Sequence, residues 1–153
     1  MKSPAFHREH GFDLSSSVIN ILSQYGYRSK EDAVWLQCFD YQELLRIRHE
    51  LGCQLKLVQL IGENDWLEST TDYDWTRTPA GLIEIAKVAQ GIGPWIPHVV
   101  NFDTSGTPHV TALVNDAHAA GLAVHPYTFR DDDLPTHAPD AYISGFAPGA
   151  QCL

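Results

Sequence analysis

Three side chains that can hydrogen-bond or carry charge follow one another at the end of the last apolar run of this sequence. His125, Tyr127 and Arg130 lie in the segment Ala-Val-His-Pro-Tyr-Thr-Phe-Arg, residues 123–130. The planar guanidinium of arginine matches the geometry of a phosphate, and α/β barrels hold their chemistry at the carboxyl ends of their strands. The segment therefore predicts an anion-binding strand end. The alternatives are a structural role for His125 and an ion pair between Arg130 and the acidic run 131–133.

Earlier apolar runs carry further polar or aromatic candidates. Gln37 and Phe39 close one run, and Gln59 lies inside the next. Phe39 either lines a pocket or packs in the core, and Gln37 either faces a ligand or hydrogen-bonds a neighbouring strand. Gln59 either points into the mouth of a barrel or satisfies a backbone group, because buried amides need partners. Lys2 adds a cation that can approach a phosphate oxygen.

Four short apolar runs alternate with amphipathic stretches, and these runs are the strands that must position the candidates. The runs are 33–39, 54–61, 91–95 and 122–129. The helices between and before them are predicted to begin at Asp13 or Ser15, Asp40, Thr78-Pro79 and Thr107-Pro108. The alternation predicts βαβ units on a parallel sheet. The last helix is expected to place Val110 on its inner face.

Two segments need a separate interpretation. Residues 62–77 form a long, acidic and aromatic stretch without periodicity, in which Trp66, Tyr73 and Trp75 form either a substrate-side wall or a packed cluster. A flavodoxin-type fold would need a glycine-rich phosphate loop before a helix. The Gly-Ile-Gly of residues 91–93 is followed by Pro94 and not by a helix start, so that fold is not expected.

Length and composition exclude several classes of protein. The chain has 153 residues, whereas a complete (β/α)8 barrel usually takes about 250. Its net charge is −9 with ten Lys and Arg residues, which argues against nucleic acid and against a polybasic membrane anchor. Its three cysteines show no zinc or disulfide spacing. No stretch is long and apolar enough to span a membrane, and the start lacks the apolar core of a secretory signal.

Five short sequence segments, in the order in which they occur, resemble the carboxyl-terminal half of glycerophosphodiester phosphodiesterases, especially the periplasmic bacterial type. The matching segments are Leu-Gln-Cys-Phe-Asp at 36–40, Leu-Val-Gln-Leu-Ile at 57–61, Tyr-Asp-Trp at 73–75, Gly-Ile-Gly-Pro at 91–94 and Val-His-Pro-Tyr-Thr-Phe-Arg at 124–130. The resemblance implies the last four to five βα units of a TIM (β/α)8 barrel over residues 1–135. Residues 136–153 show no helical period and are expected to be a poorly ordered tail.

The resemblance also implies a reaction. The family hydrolyses glycerophosphodiesters to an alcohol and glycerol 3-phosphate, using Ca2+ or Mg2+ and two histidines as general base and acid. In the family, a His-Arg pair, a Glu-x-Asp metal pair and the second histidine lie on the first strands, and a Glu-x-Lys lies on the fourth. Lys2 matches the lysine of Glu-x-Lys, so we expect no catalytic residue and no metal ligand in this chain. His7-Arg8 does not match the His-Arg pair and is expected to be a solvated loop.

Two functional hypotheses follow. The first is a glycerophosphodiester phosphodiesterase whose substrate-binding residues are retained: Lys2, Gln37, Phe39, Gln59, His125, Tyr127 and Arg130. The second is a non-catalytic half-barrel that binds an anion, or that needs self-association or a complementing amino-terminal half, because a half-barrel leaves sheet edges unpaired. The expected partner is a small glycerophosphodiester. The family type suggests the periplasm, but no signal peptide is present in the sequence, so the compartment stays open.

Overall fold

The structure is a computed structural model that describes residues 1–103 and 105–128. Its helices are α1 (Pro4–Glu9), α2 (Leu14–Gln24), α3 (Tyr41–His49), α4 (Tyr73–Thr76), α5 (Pro79–Ala86) and α6 (Leu113–Ala119). Its strands are β1 (Trp35–Cys38), β2 (Lys56–Ile61), β3 (Gly91–Pro94), β4 (Val100–Phe102), β5 (Pro108–Val110) and β6 (Ala123–Val124). Short 3₁₀ helices span Asn64–Trp66 and Ile96–His98. Arg130 and the predicted tail 136–153 lie outside the described residues.

A parallel sheet of four strands in the order β1-β2-β3-β6 forms the centre of the fold. The register pairs Gln37 with Val58, Val58 with Gly91, and Gly91 with Ala123. A single isolated bridge between Trp95 and Tyr127 continues the β3–β6 pairing toward the carboxyl ends. The prediction of an α/β fold on a parallel sheet is confirmed, and the row of strands is consistent with part of a TIM-like barrel.

The two faces of this sheet have opposite environments. One face packs against α3, α5 and α6, and the buried core lies there. Its members include Leu36, Cys38, Leu44, Ile47, Leu57, Ile61, Leu82, Ile85, Ile92, Leu113 and Ala117. The opposite face, which we call the open face, carries Trp35, Gln37 and His125, all of them exposed. In a closed barrel that face would point toward the axis, where side chains fill the interior.

Three of the predicted helix starts are confirmed. The Asp13 side chain accepts a hydrogen bond from the Ser16 amide at 3.0 Å and caps α2. Asp40 caps α3 in the same way, and Thr78 caps α5 in front of Pro79. Each side chain satisfies an amide that would otherwise have no partner at a helix start.

The expected helix start at Thr107-Pro108 is wrong. Residues 108–110 form β5, which pairs antiparallel with β4, and Val110 is 78% exposed where an inner helix face was expected. The turn between the two strands is held by the Asp103 carboxylate, which accepts the amides of Ser105 and Thr107, each at 2.9 Å. Because an aspartate can bond its own following backbone, the turn competes with the helix there. The helix α6 begins only at Leu113.

The expectation of a loop at His7-Arg8 is also wrong, although Arg8 is exposed as expected. Both residues lie in α1, and Arg8 forms an ion pair with Glu43, whose side chain is completely buried. Arg46 binds the second oxygen of Glu43 at 2.8 Å and also pairs with Asp13. A buried carboxylate requires such partners, so these ion pairs fix α1 and α2 against α3.

Candidate active-site edge

The carboxyl ends of the four parallel strands meet at one edge, where Phe39 is the central aromatic side chain. Its ring packs edge-on against Tyr73 and Tyr127, with centroid distances of 6.3 and 5.8 Å. The Tyr127 hydroxyl donates to the Ile61 carbonyl at 2.8 Å. Burial raises the pKa of both tyrosines, so both remain protonated donors over the ordinary pH range. The sequence predicted Phe39 and Tyr127 as site residues, and the structure brings them into contact.

Gln59 lies in β2 and is completely buried. It pairs with Cys38 and Ile92 on the neighbouring strands, so its side chain lies on the helix-covered face. Its amide nitrogen donates to the carbonyls of Phe39 and Leu60, at 2.8 and 2.9 Å. Of the two roles expected from sequence, the structure shows the backbone-satisfying one. Gln59 therefore holds the carboxyl end of β1 against β2, and does not point into a barrel mouth.

The first residues of the chain lie beside β1 and beside the segment that follows β2. The Met1 ammonium donates to the Gln37 carbonyl, which places the first residues beside β1. The Lys2 side chain is exposed and lies 3.0 Å from Glu68, in the segment that follows β2. A cavity of about 440 Å³ opens between these two segments, and Asp40, Glu68 and Ser69 line it. Lys2 is thus close to the strand ends, with its charge engaged by Glu68.

His125 lies away from the Phe39 cluster. It is exposed on the open face, and its ring packs edge-on against Trp35, with the centroids 4.6 Å apart. The contact passes over β3, where Gly91 and Gly93 carry no side chain. At Gly91 a Cβ atom would lie 3.5 Å from the Trp35 ring. The structure therefore separates His125 from Tyr127, although the sequence placed them two residues apart on one strand end.

Three further residues, which the sequence analysis did not single out, form a chain of hydrogen-bonded and charged side chains at the same edge. The His98 Nε2 atom lies 2.8 Å from Glu63 Oε1, and Glu63 Oε2 lies 3.6 Å from the Arg77 guanidinium. His98 is buried, and this burial lowers its pKa, opposed by the hydrogen bond to Glu63. The two members of the bond are 35 residues apart, in different loops. No local pattern in a single sequence signals such a pair.

Two tryptophan rings pack next to the His98 end of this chain of side chains. Trp66 and Trp95 pack edge-on with centroids 5.2 Å apart, and Trp95 contacts the His98 ring at 5.7 Å. Gly62 allows this arrangement, because a Cβ atom there would lie 2.7 Å from the Trp66 ring. Trp66, Tyr73 and Trp75 were expected to form either a substrate-side wall or a packed cluster. Each packs on a different partner: Trp66 on Trp95, Tyr73 on Phe39 and Trp75 on Tyr41.

A metal centre is not formed by the described part of the chain. Within residues 1–103 and 105–128, no group of three or more His, Cys, Asp or Glu side chains could hold an ion. In the same part of the chain, no helix has the length and apolar character needed to cross a membrane.

Comparison with known proteins gives the identity of the family. The sequence model of the glycerophosphoryl diester phosphodiesterase family matches residues 1–146. A glycerophosphodiester phosphodiesterase of Haemophilus influenzae is 39% identical over 88% of this chain and 42% of its own length. One of Treponema pallidum is 32% identical over 90% and 43%, and one of Arabidopsis thaliana is 26% identical over 90% and 40%. The chain thus spans less than half the length of these relatives.

The matched region contains β1, β2, β3 and β6 together with the strand-end residues Phe39 and Tyr127. The family resemblance predicted from the sequence segments is therefore confirmed, and the chain belongs to the glycerophosphoryl diester phosphodiesterase family.

Proposed function

We propose that this chain provides a substrate-binding edge for the hydrolysis of glycerophosphodiesters to an alcohol and glycerol 3-phosphate. The observation that carries the proposal is family membership over residues 1–146, combined with the meeting of the matched strand ends around Phe39. Substrates of open and closed α/β sheets bind beside the carboxyl ends of the strands. The proposed role of this chain is substrate binding, and the reaction is the one for which the longer relatives are named.

The proposed roles follow from side-chain chemistry. The Phe39 ring supplies an apolar wall for the carbon skeleton of glycerol, supported from behind by Tyr73 and Tyr127. The Lys2 ammonium is proposed to bind the phosphate. The phosphate would have to compete for it with the Glu68 carboxylate, with which Lys2 is already paired. Gln59 acts indirectly, by holding the Phe39 backbone. His125 and Gln37 lie on the open face and are proposed to contact substrate only from there, and Arg130 remains a sequence-based candidate.

The resemblance implies a divalent cation, Ca2+ or Mg2+, but the described residues do not form a site that fits one. In the family that this chain resembles, two histidines serve as general base and acid. Their motifs are not among the five sequence segments that match. We propose that these groups act from a complementing segment, which would cover the exposed Trp35, Gln37 and His125 of the open face.

A binding experiment tests the substrate edge. Glycerol 3-phosphate is titrated into the purified chain and followed by amide NMR shifts. Lys2→Gln is expected to weaken binding several-fold, whereas Glu68→Gln is expected to tighten it, because that carboxylate no longer competes for the ammonium. Lys30→Gln is the matched control, since Lys30 is an exposed lysine in the turn that precedes β1. Equal affinities for the Lys2 and Lys30 variants would contradict the assigned role.

An activity experiment tests the division of labour. Release of glycerol 3-phosphate from glycerophosphocholine is measured with added Ca2+ or Mg2+, for the chain alone and mixed with a separately produced amino-terminal half of a relative. We expect turnover only in the mixture. Turnover by the chain alone would show that its own residues move the protons, and binding without turnover in either sample would favour an anion-binding module.

A further inference from the structure

The open face ends, at the carboxyl ends of the strands, in a layer of side chains that has a gap at β2. Side chains alternate between the two faces of a strand, so Phe39, two residues after the exposed Gln37, belongs to the open face. Tyr127 contacts the Phe39 ring and is part of the same layer. The matching position of β2 is Gly62, which follows the core residue Ile61 and has no side chain to contribute.

The Trp66 ring occupies the space that a side chain on Gly62 would take. A Cβ atom on Gly62 would lie 2.7 Å from Trp66 Cε3 and 3.5 Å from Phe39 Cε1. The two rings therefore lie next to each other, on the same side of the Gly62 backbone. Trp95 packs on Trp66 with a centroid distance of 5.2 Å and continues the row of rings toward β3. Trp66 thus fills the gap in the layer beside Phe39.

The short segment that carries Trp66 is fixed on both sides of the ring. Before it, the Asn64 side chain accepts the Tyr73 amide at 2.7 Å and donates to Asp74 at 3.1 Å. After it, Leu67 has a φ of 53°, in the left-handed region that residues other than glycine rarely adopt. Such a conformation persists only where the surrounding structure imposes it. Trp66 is therefore held beside Phe39 before any ligand binds.

The exposure of Trp66 distinguishes it from a residue that only packs the loop. Tyr73, in the same segment, is 1% exposed, whereas Trp66 is 40% exposed. A large aromatic ring that remains accessible at the carboxyl ends of parallel strands lies where α/β barrels bind their substrates. Its accessible surface continues the apolar surface of Phe39.

We propose that Trp66 is a substrate-contacting residue, which widens the apolar wall of Phe39 and contacts the carbon skeleton of glycerol from the side of β2. Gly62 is then a positioning residue, because the lack of a side chain there lets the Trp66 ring lie beside Phe39. The inference rests on the proposed function and adds a specificity-determining residue to it. Trp66 discriminates glycerol 3-phosphate from inorganic phosphate, since only the former offers carbon atoms to the ring.

The test uses glycerol 3-phosphate and inorganic phosphate as probes and the full purified chain, labelled with 15N. The indole N–H signal of Trp66 is identified by its loss in Trp66→Phe. We expect this signal to shift saturably with glycerol 3-phosphate, at the same midpoint as the Phe39 amide, and to shift much less with phosphate. This measurement needs no variant to fold in the presence of ligand.

A pair of variants tests the contribution of the ring to affinity. Trp66→Ala is expected to weaken glycerol 3-phosphate binding about fourfold, as the loss of apolar contact equal to one methylene group predicts, and to leave the affinity for phosphate unchanged. Trp35→Ala is the matched control. Trp35 is 38% exposed, close to the value of Trp66, but lies on the open face against His125.

A double-mutant cycle tests the role of Gly62. In the parent chain, Gly62→Ala is expected to weaken glycerol 3-phosphate binding by about the same factor as Trp66→Ala, because the added methyl group displaces the Trp66 ring. In the Trp66→Ala chain it is expected to have little effect, since the Phe39 atom at 3.5 Å is then an ordinary contact. Additive effects would contradict a role of Gly62 through Trp66.

The outcomes separate this inference from the proposed function. A shift of the Phe39 amide without a shift of the Trp66 indole would overturn the inference and leave the proposed function in place. Equal weakening by Trp66→Ala and Trp35→Ala, or equal loss of affinity for phosphate and glycerol 3-phosphate, would do the same. If glycerol 3-phosphate does not shift the Phe39 amide, the proposed function is wrong and the inference falls with it.

Discussion

Gln59 Nε2 lies 2.8 Å from the carbonyl oxygen of Phe39, and this hydrogen bond joins the carboxyl ends of two neighbouring strands. The same carbonyl is approached by the hydroxyls of Ser69 and Tyr73, each at 3.4 Å. One backbone oxygen therefore anchors the aromatic residue at the centre of the proposed substrate edge. The Gln59 amide makes the shortest of the three contacts.

Gln59→Leu is expected to lower the free energy of unfolding by about 1–3 kcal/mol, because the Phe39 and Leu60 carbonyls lose a buried donor. Urea denaturation measures the change. The control is Gln54→Leu, since the exposed Gln54 bonds only the Gly52 carbonyl two residues before it. If both variants unfold at the same urea concentration, Gln59 does not anchor the strand end.

The ion pairs around Glu43 predict a strong asymmetry between single and double variants. Arg46→Leu leaves the buried Glu43 carboxylate with Arg8 alone, which is expected to cost about 3 kcal/mol, the low end for a broken buried pair. Adding Glu43→Leu removes the unpaired charge and is expected to recover much of that loss.

The matched surface pair is Lys87 with Glu84, both largely exposed. Lys87→Leu is expected to cost less than about 1 kcal/mol, and a double variant with Glu84→Leu should show little coupling. Thermal or urea unfolding of the parent, the four single variants and the two double variants gives the two coupling energies. A similar coupling energy for both pairs would show that burial of Glu43 has no energetic effect.

His98 predicts a pH dependence of stability. Burial lowers its pKa below the ordinary 6.5, so between these two values the unfolded chain binds more protons than the folded one. Its contribution to the free energy of unfolding is therefore complete above about pH 6.5 and is lost as the pH falls through the folded pKa. Glu63, Arg77 and Asp74 are the charged groups that act on the ring.

The measurement compares urea midpoints of the parent chain and His98→Gln between pH 8 and pH 5. The parent is expected to lose stability more steeply than the variant below about pH 6.5, because glutamine binds no proton in this range. Parallel curves would mean that the His98 pKa is the same in the folded and unfolded chain.

The Asp103 turn predicts a local effect. Asp103→Ala removes the acceptor of the Ser105 and Thr107 amides, so exchange of those amide hydrogens is expected to become roughly tenfold faster, the equivalent of one hydrogen bond. Amide exchange followed by NMR checks this. Global unfolding should hardly change, because the turn is exposed, and amides of the core strands serve as the internal control. Unchanged exchange at Ser105 and Thr107 would exclude the carboxylate as the cause of the hairpin.

Local signals in the sequence predicted a large part of the fold. Apolar runs predicted both ends of β1, β2 and β3 to within two residues, and Asp13, Asp40 and Thr78 were confirmed as caps. Such predictions succeed because periodicity and capping depend on residues only a few positions apart. The last strand, predicted over 122–129, spans only Ala123–Val124. The predictions were wrong at α1 and at the β4–β5 hairpin. There a contact with Glu43 or a turn made by one aspartate side chain decided the structure.

The site divides in the same way. The sequence alone determined the family, the parallel sheet and the position of Phe39 and Tyr127 at strand ends, because these depend on the order of short apolar segments. Three contacts were decided only by the tertiary structure. The Gln59 amide donates to the backbone carbonyl of Phe39, the His125 ring packs on Trp35, and Glu63 hydrogen-bonds His98. Those outcomes join residues 20 or more positions apart, and which loops and strands meet is set by the packing of the whole chain, which no local pattern encodes.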